Sequence, residues 1–169
     1  MALIKDSRLV DDPWAFVGDG EPLPPARHDV AVSVERWRAE SNALAARDGR
    51  LGVTLKSNQS PALIAEDLGR LSLVALDFPV FRDGRAFSSA RLLRERYGFG
   101  GEIRAVGDVL RDQFMFMRRC GFDAFEVPDD AVLEDWLEAA RAVSVVYQPA
   151  ADRRRTIVEI RHAKLKAAE

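Results

Sequence analysis

Residues 73–127 alternate short apolar runs with helical stripes, and that alternation leaves few folds open to the chain. The order reads strand, loop, helix, strand, loop, helix, strand. Residues 73–78 are apolar apart from Asp77, and 102–106 and 124–127 supply the next two strands. A continuous apolar run suits a strand buried on both faces, as in a parallel sheet. Between the strands, Phe87, Ala90, Leu93 and Tyr97 recur at three- and four-residue steps, the single stripe of a helix over 86–97. Arg91, Arg94, Glu95 and Arg96 fall on its other face, most simply a solvated one. Asp108 is expected to cap a second helix, over 109–120, which Gly121 ends.

The flanking segments extend this pattern. Residues 30–34 lead as a strand into a helix over 35–47, and LGVTL at 51–55 is a further strand. Ser60 and Pro61 open a helix whose apolar face is Leu63, Ile64 and Leu68, and Pro128 opens a last one over 131–142. Consecutive strand–helix units predict an α/β fold with a mainly parallel sheet and right-handed crossovers, barrel-fragment-like or Rossmann-like. Ahead of them, 2–4 and 8–10 predict an N-terminal β-hairpin, Asp12-Pro13-Trp14 a helix start, and 18–29 an extended linker. Behind them, 144–148 and 155–161 read as an extended tail, an antiparallel edge pair. The expected organisation is a single α/β domain over 1–169: hairpin and linker at 1–29, βα core at 30–143, tail at 144–169.

Charge and motif content exclude several function classes. A formal charge of -2 gives no global case for nucleic acid or an anionic membrane. No run approaches the ~20 apolar residues of a membrane span, and MALIKDSRLVDD lacks the regions of a signal peptide, so a cytoplasmic location is expected. One cysteine, Cys120, rules out an internal disulfide framework and reads as a buried, inert thiol. The G-F-G-G at 98–101 precedes a strand, not a helix, so it fails as a dinucleotide fingerprint. His28 and His162 have no metal-ligand spacing to another His or Cys. No cofactor is evident and no metal is expected.

In parallel α/β folds ligands gather where strands end and helices begin. Asp83-Gly84-Arg85 beside Ser88 and Ser89, at an expected helix start, is a candidate small-anion site. Its plain alternative is a turn glycine, a serine cap and an Asp83–Arg85 contact. Arg104, Asp108, Arg111, Asp112 and Gln113 form a second cluster. Asp108 and Asp112, four apart on one expected helix face, are the candidate proton-transfer carboxylates. The alternative there is an N-cap with ordinary ion pairs. Arg91, Arg94, Arg153, Arg154 and Arg155 are candidate contacts for an acidic partner, or else a solvated surface.

The core resembles a bacterial family, domain of unknown function family 934. The resemblance is carried by F-P-x-F-x-D-G-R at 78–85, S-x-x-L-L-R at 89–94, G-E-I-R-A-V-G-D-V-L-R-D-Q at 101–113 and R-R-C-G-F-D-A-F at 118–125. It implies a setting beside assimilatory sulfite or nitrite reductase genes, since family members are described as oxidoreductases involved in sulfite reduction. This chain lacks the several cysteines of an iron–sulfur and sirohaem centre, and no catalytic motif is visible. The first expectation is therefore an accessory protein that binds sulfite reductase or an acidic electron donor. The alternative is a small enzyme or oxyanion-binding domain with its site around Arg85, Ser88, Arg104 and Asp108.

Overall fold

A computed structural model describes residues 1–152 and 154–166, the side chain at 164 excepted. Eight strands form one mixed, mainly parallel sheet. They are β1 (Ala2–Lys5), β2 (Arg8–Val10), β3 (Trp14–Val17), β4 (Asp29–Ser33), β5 (Leu51–Leu55), β6 (Leu73–Phe78), β7 (Glu102–Gly107) and β8 (Ala124–Val127). From β3 to β8 each strand lies parallel to the one before it in sequence, in the order β2-β1-β8-β7-β6-β5-β4-β3. The β1–β2 hairpin adds antiparallel to β8, pairing Ile4 with Phe125. The expected α/β class and N-terminal hairpin are therefore present.

Sequential parallel neighbours joined by crossovers of one hand put their helices on one face of a sheet. That face is packed by α1 (Val34–Ala45), a 3-10 helix (Pro61–Arg70), α2 (Arg85–Arg91), α3 (Phe114–Cys120) and α4 (Leu133–Arg141). Val32, Val53, Val74, Leu76, Ile103 and Phe125 meet Trp37, Ile64, Leu93, Phe114 and Met117 in one continuous core. Trp37 keeps its indole N–H satisfied by donating to Asp67 at 2.9 Å. Ser33 caps α1, its Oγ accepting from Arg36 N at 3.0 Å, and Ser60 caps the 3-10 helix as expected.

The opposite face is concave. In a flat sheet four steps of ~4.8 Å would hold β3 roughly 19 Å from β7. Instead Asp12, just before β3, accepts from Arg104 of β7 at 2.6 and 3.0 Å, and the Arg104 guanidinium lies 5.3 Å from the Phe16 ring. The sheet is thus curled into an open half-barrel. Small residues make room inside it. Ala31, Gly52 and Ala75 occupy successive strands, and a Cβ at Gly52 would come within 2.9 Å of the Leu73 Cβ.

Several local expectations change. Asp12-Pro13-Trp14 opens strand β3, not a helix; pairing with β4 outweighs proline at a first turn. The 86–97 helix begins at Arg85 and widens to a π turn over Leu92–Arg96. The 109–120 helix is shorter: a 3-10 turn at Arg111–Gln113 precedes α3. In the tail, 157–166 form helix α5 (Ile157–Lys166), and the edge pair reduces to one parallel bridge, Val146 with Thr156. Thr156 bonds Glu159 through both its N–H (2.7 Å) and its Oγ1 (3.0 Å), a capping arrangement that favours helix over strand there.

Arg104 is fully buried and hydrogen-bonded to Glu102 at 2.8 Å as well as to Asp12. Removing one member of such a pair leaves an uncompensated buried charge, at a cost of about 3–5 kcal/mol. Arg104→Ala should lower urea stability by about that much, whereas Arg91→Ala, which breaks an exposed pair with Glu95, should cost less than about 1 kcal/mol. Equal urea midpoints for the two variants would show that the interior pair does not hold the curl.

Candidate functional site

The parallel strands deliver their C-terminal ends to one rim of the half-barrel. The first expected site lies there. Asp83 accepts from Arg85 Nε at 2.9 Å and Nη2 at 2.6 Å, and Arg85 also donates to Ser57 Oγ at 3.1 Å. The Arg85 guanidinium and the Ser57 hydroxyl hold the Asp83 carboxyl well below the usual carboxylate range. Ser88 and Ser89 lie inside α2, whose N-cap is Gly84, so neither hydroxyl stands at the helix start.

Arg104 does not join Arg85. It projects into the concave interior from the middle of β7, between Asp12 and Glu102, while Arg85 is exposed on the rim. Burial opposes the Arg104 charge, but Asp12 and Glu102 outweigh it and keep the guanidinium ionised. Lys5 completes the interior cluster by donating to Glu102 at 2.6 Å. An oxyanion would have to displace two carboxylates to reach Arg104.

Asp108 and Asp112 do not share a helix face, because 108 precedes the 3-10 turn that contains 112. Asp108 uses its backbone N–H to cap β6, donating to Phe78 O at 2.7 Å. Gln113 Nε2 donates to Phe81 O at 3.3 Å, so Gln113 stays on the rim. Arg111 pairs with Asp135 at 3.3 Å.

The arginine candidates divide by use. Arg94 is a structural tie rather than a solvated group. It donates to Gly121 O, Phe99 O and Gly101 O at 3.0, 2.6 and 2.7 Å and to Asp123 at 2.8 Å, binding the end of α2 to the approaches of β7 and β8. Arg91 pairs with Glu95 at 3.0 Å. Arg154 donates to the Val143 and Ser144 carbonyls at 3.2 and 3.0 Å, and Arg155 to Glu159 O at 3.2 Å. Arg153 lies outside the described residues. Cys120 is buried with its thiol pushed up to about 11, chiefly by burial, which leaves it unreactive near neutrality.

The rim also holds groups that were not singled out from the sequence. Asp77, near the end of β6, and Lys56, just after β5, stand at the same level, since Leu55 pairs with Leu76. Burial, with help from Asp83, raises the Asp77 carboxyl above its usual range against the pull of Lys56. Gly107 has φ +88, and a Cβ there would meet Phe78 O at 2.6 Å and Asp77 Oδ1 at 2.9 Å, so glycine lets β7 end against this carboxyl. Glu126, also half-buried, is raised by burial too. Beside them a cleft of about 260 Å³ is lined by Phe16, Asp19, Ser33, Thr54 and Lys56. The readable signal was a lone ionisable residue inside an apolar strand: Asp77 in LVALDF and Glu126 in AFEV. Chemically the rim offers an ammonium for an anion and a carboxyl able to hold a proton at higher pH than usual.

A raised carboxyl favours folding while protonated, and that contribution is lost as the pH climbs through its folded-state value. Asp77→Asn should therefore raise the thermal midpoint at about pH 7.5, with the gain shrinking as the pH falls toward about 4. An equal gain at both pH values would exclude charge burial as its cause.

No helix among the described residues is long and apolar enough to cross a membrane, and none of their His, Cys, Asp and Glu side chains form a group of three that could hold a metal ion. Residues 52–158, more than half of the chain, match the model of a family described as bacterial protein of unknown function (DUF934). No curated protein matches the chain.

Proposed function

The chain belongs to that family, and from this premise we propose that it is an accessory protein of assimilatory sulfite reduction that binds the reductase or its acidic electron donor. The observation that carries this reading is a basic and apolar surface built by the C-terminal segment. Tyr147 is 77% exposed, and Val145 and Val158 are exposed beside it. Val146 bridges Thr156 in parallel, which sets Val145 level with Arg155 and Tyr147 level with Ile157 at the start of α5. Arg161 follows Val158 at a three-residue step, on the same side of α5. Among the described residues neither Arg155 nor Arg161 has a carboxylate within ion-pair distance. Exposed aromatic and aliphatic groups beside guanidinium groups that no carboxylate meets at ion-pair distance suit a partner with an acidic rim around an apolar patch. Of the arginines expected from the sequence, Arg155 contributes most directly; Arg91 and Arg94 are occupied within the chain.

Purified protein should capture sulfite reductase or its electron donor at low ionic strength and release it at high salt. Arg155→Glu with Arg161→Glu should weaken capture about tenfold. No capture at low ionic strength by the wild-type chain removes the reading.

A second reading is favoured by Lys56 and Asp77 at the strand ends: a small-oxyanion site on the rim, in which Lys56 holds the anion and Asp77 carries a proton. It replaces Arg104 and Asp108 of the original expectation with groups free to meet a ligand. Titration calorimetry with sulfite should then give saturable binding that Lys56→Met abolishes. Binding unaffected by Lys56→Met excludes this site.

A further inference from the structure

We propose that the cleft between α3, α4 and the C-terminal segment is a binding site for a small organic anion, one with a flat apolar body. It lies away from the strand-end rim. Its volume is about 600 Å³, within the range of roughly 300–1,000 Å³ that small-molecule sites occupy.

The cleft combines two surfaces. Phe114, Met115, Phe122 and Ala140 give it an apolar floor. Phe114 is fixed in place by edge contacts with Phe125 at 4.5 Å and Trp136 at 5.3 Å between ring centroids, so the floor is preformed. Around it stand Arg118, Arg119, Arg141 and Arg154, facing Asp6, Asp123 and Asp152.

The charges do not cancel. Asp123 is paired with Arg94 at 2.8 Å, outside the cleft, and Asp152 with Arg119 at 3.4 Å. That leaves Arg118, Arg141 and Arg154 against Asp6 alone, and none of the three has a carboxylate within ion-pair distance among the described residues. Arg118 lies over the Phe114 ring at 5.8 Å and Arg154 is held by two backbone carbonyls. Both guanidinium groups are thus positioned while retaining their positive charge. A planar fork with free donors recognises carboxylate, sulfonate or phosphate oxygens. The apolar floor beneath it requires that the anion carry a body able to displace water there. Inorganic sulfate or sulfite, which has no such body, would leave the floor wet.

The test is titration calorimetry of the full chain with naphthalene-2-sulfonate as probe. One-to-one saturable binding is expected, at least about tenfold weaker for Arg118→Glu and for Arg141→Glu. Arg91→Glu, on the α2 surface, should leave it unchanged. Sulfate, the head without the body, and 2-naphthylmethylammonium, the body without the negative charge, should each bind at least about tenfold more weakly. Both replaced arginines are exposed, and circular dichroism spectra of the variants should match that of the wild-type chain; Arg141→Gln, which adds no negative charge, should also weaken the probe. Lack of saturable binding, equal affinity for sulfate, or affinity indifferent to the arginine changes would each overturn the proposal. Because Arg155 and Arg161 stay intact in these variants, loss of the probe with retained capture of a protein partner separates this site from the docking surface.

Discussion

The half-barrel depends on one buried cation. Arg104 sits in the middle of β7 with no exposure to water, and such a charge is tolerated only where opposite charges and hydrogen bonds meet it on several sides. Glu102 supplies one partner from the same strand; Asp12 supplies the other from the approach to β3, at the far edge of the parallel strands. Satisfying the guanidinium therefore requires the sheet to curl until its edge returns to β7. The small side chains Ala31, Gly52 and Ala75 permit that approach, and Phe16 closes over the guanidinium. With the concave face closed in this way, the helices pack the convex one, and the strand ends converge on a single rim.

The same chemistry explains how arginine is distributed. A guanidinium offers five donors in a plane, so it can bind backbone carbonyls as readily as carboxylates. Arg94 does so with three carbonyls and Asp123, linking loops that approach β7 and β8. Arg85 is occupied by Asp83 and Ser57. These residues look like binding groups in the sequence and act as connectors in the fold. Among the described arginines with no carboxylate at ion-pair distance, Arg118, Arg141, Arg154, Arg155 and Arg161 lie on α3, α4 and the C-terminal segment, away from the strand-end loops to which a parallel α/β sheet first directs attention. Two surfaces of different chemistry result: a rim with a proton-holding carboxyl, and a basic surface with apolar ground beneath it.

Much of the architecture was legible because periodicity depends on local geometry. Apolar runs at 51–55, 73–78, 102–106 and 124–127 became strands β5 to β8, and Ser60 caps a helix because its hydroxyl reaches one of the first free N–H groups. Where the reading differed, a longer-range contact had the stronger claim. Pro13 suits a helix start, yet pairing with β4 made the next residues a strand. The 155–161 stretch looked extended, but Thr156 and Glu159 cap one another and α5 follows. The expected Asp108–Asp112 pair failed because its helix begins only after Leu110, an irregular start that a four-residue spacing cannot reveal.

The amino-acid sequence by itself determined the alternation of elements, the parallel character of the sheet and the chain's family, since each is written in neighbouring residues. It did not determine which charged groups meet. Arg104 and Asp12 are 92 positions apart, as are no two members of a local motif, and only the curl of the sheet makes them partners. Their pairing removes Arg104 from the candidate anion site, while Lys56 and Asp77 stand level with each other at the rim and Arg118, Arg141 and Arg154 line one cleft. Spacing along a chain sets which side chains share a strand or helix face; neutralisation depends on distances through space, and those belong to the tertiary structure.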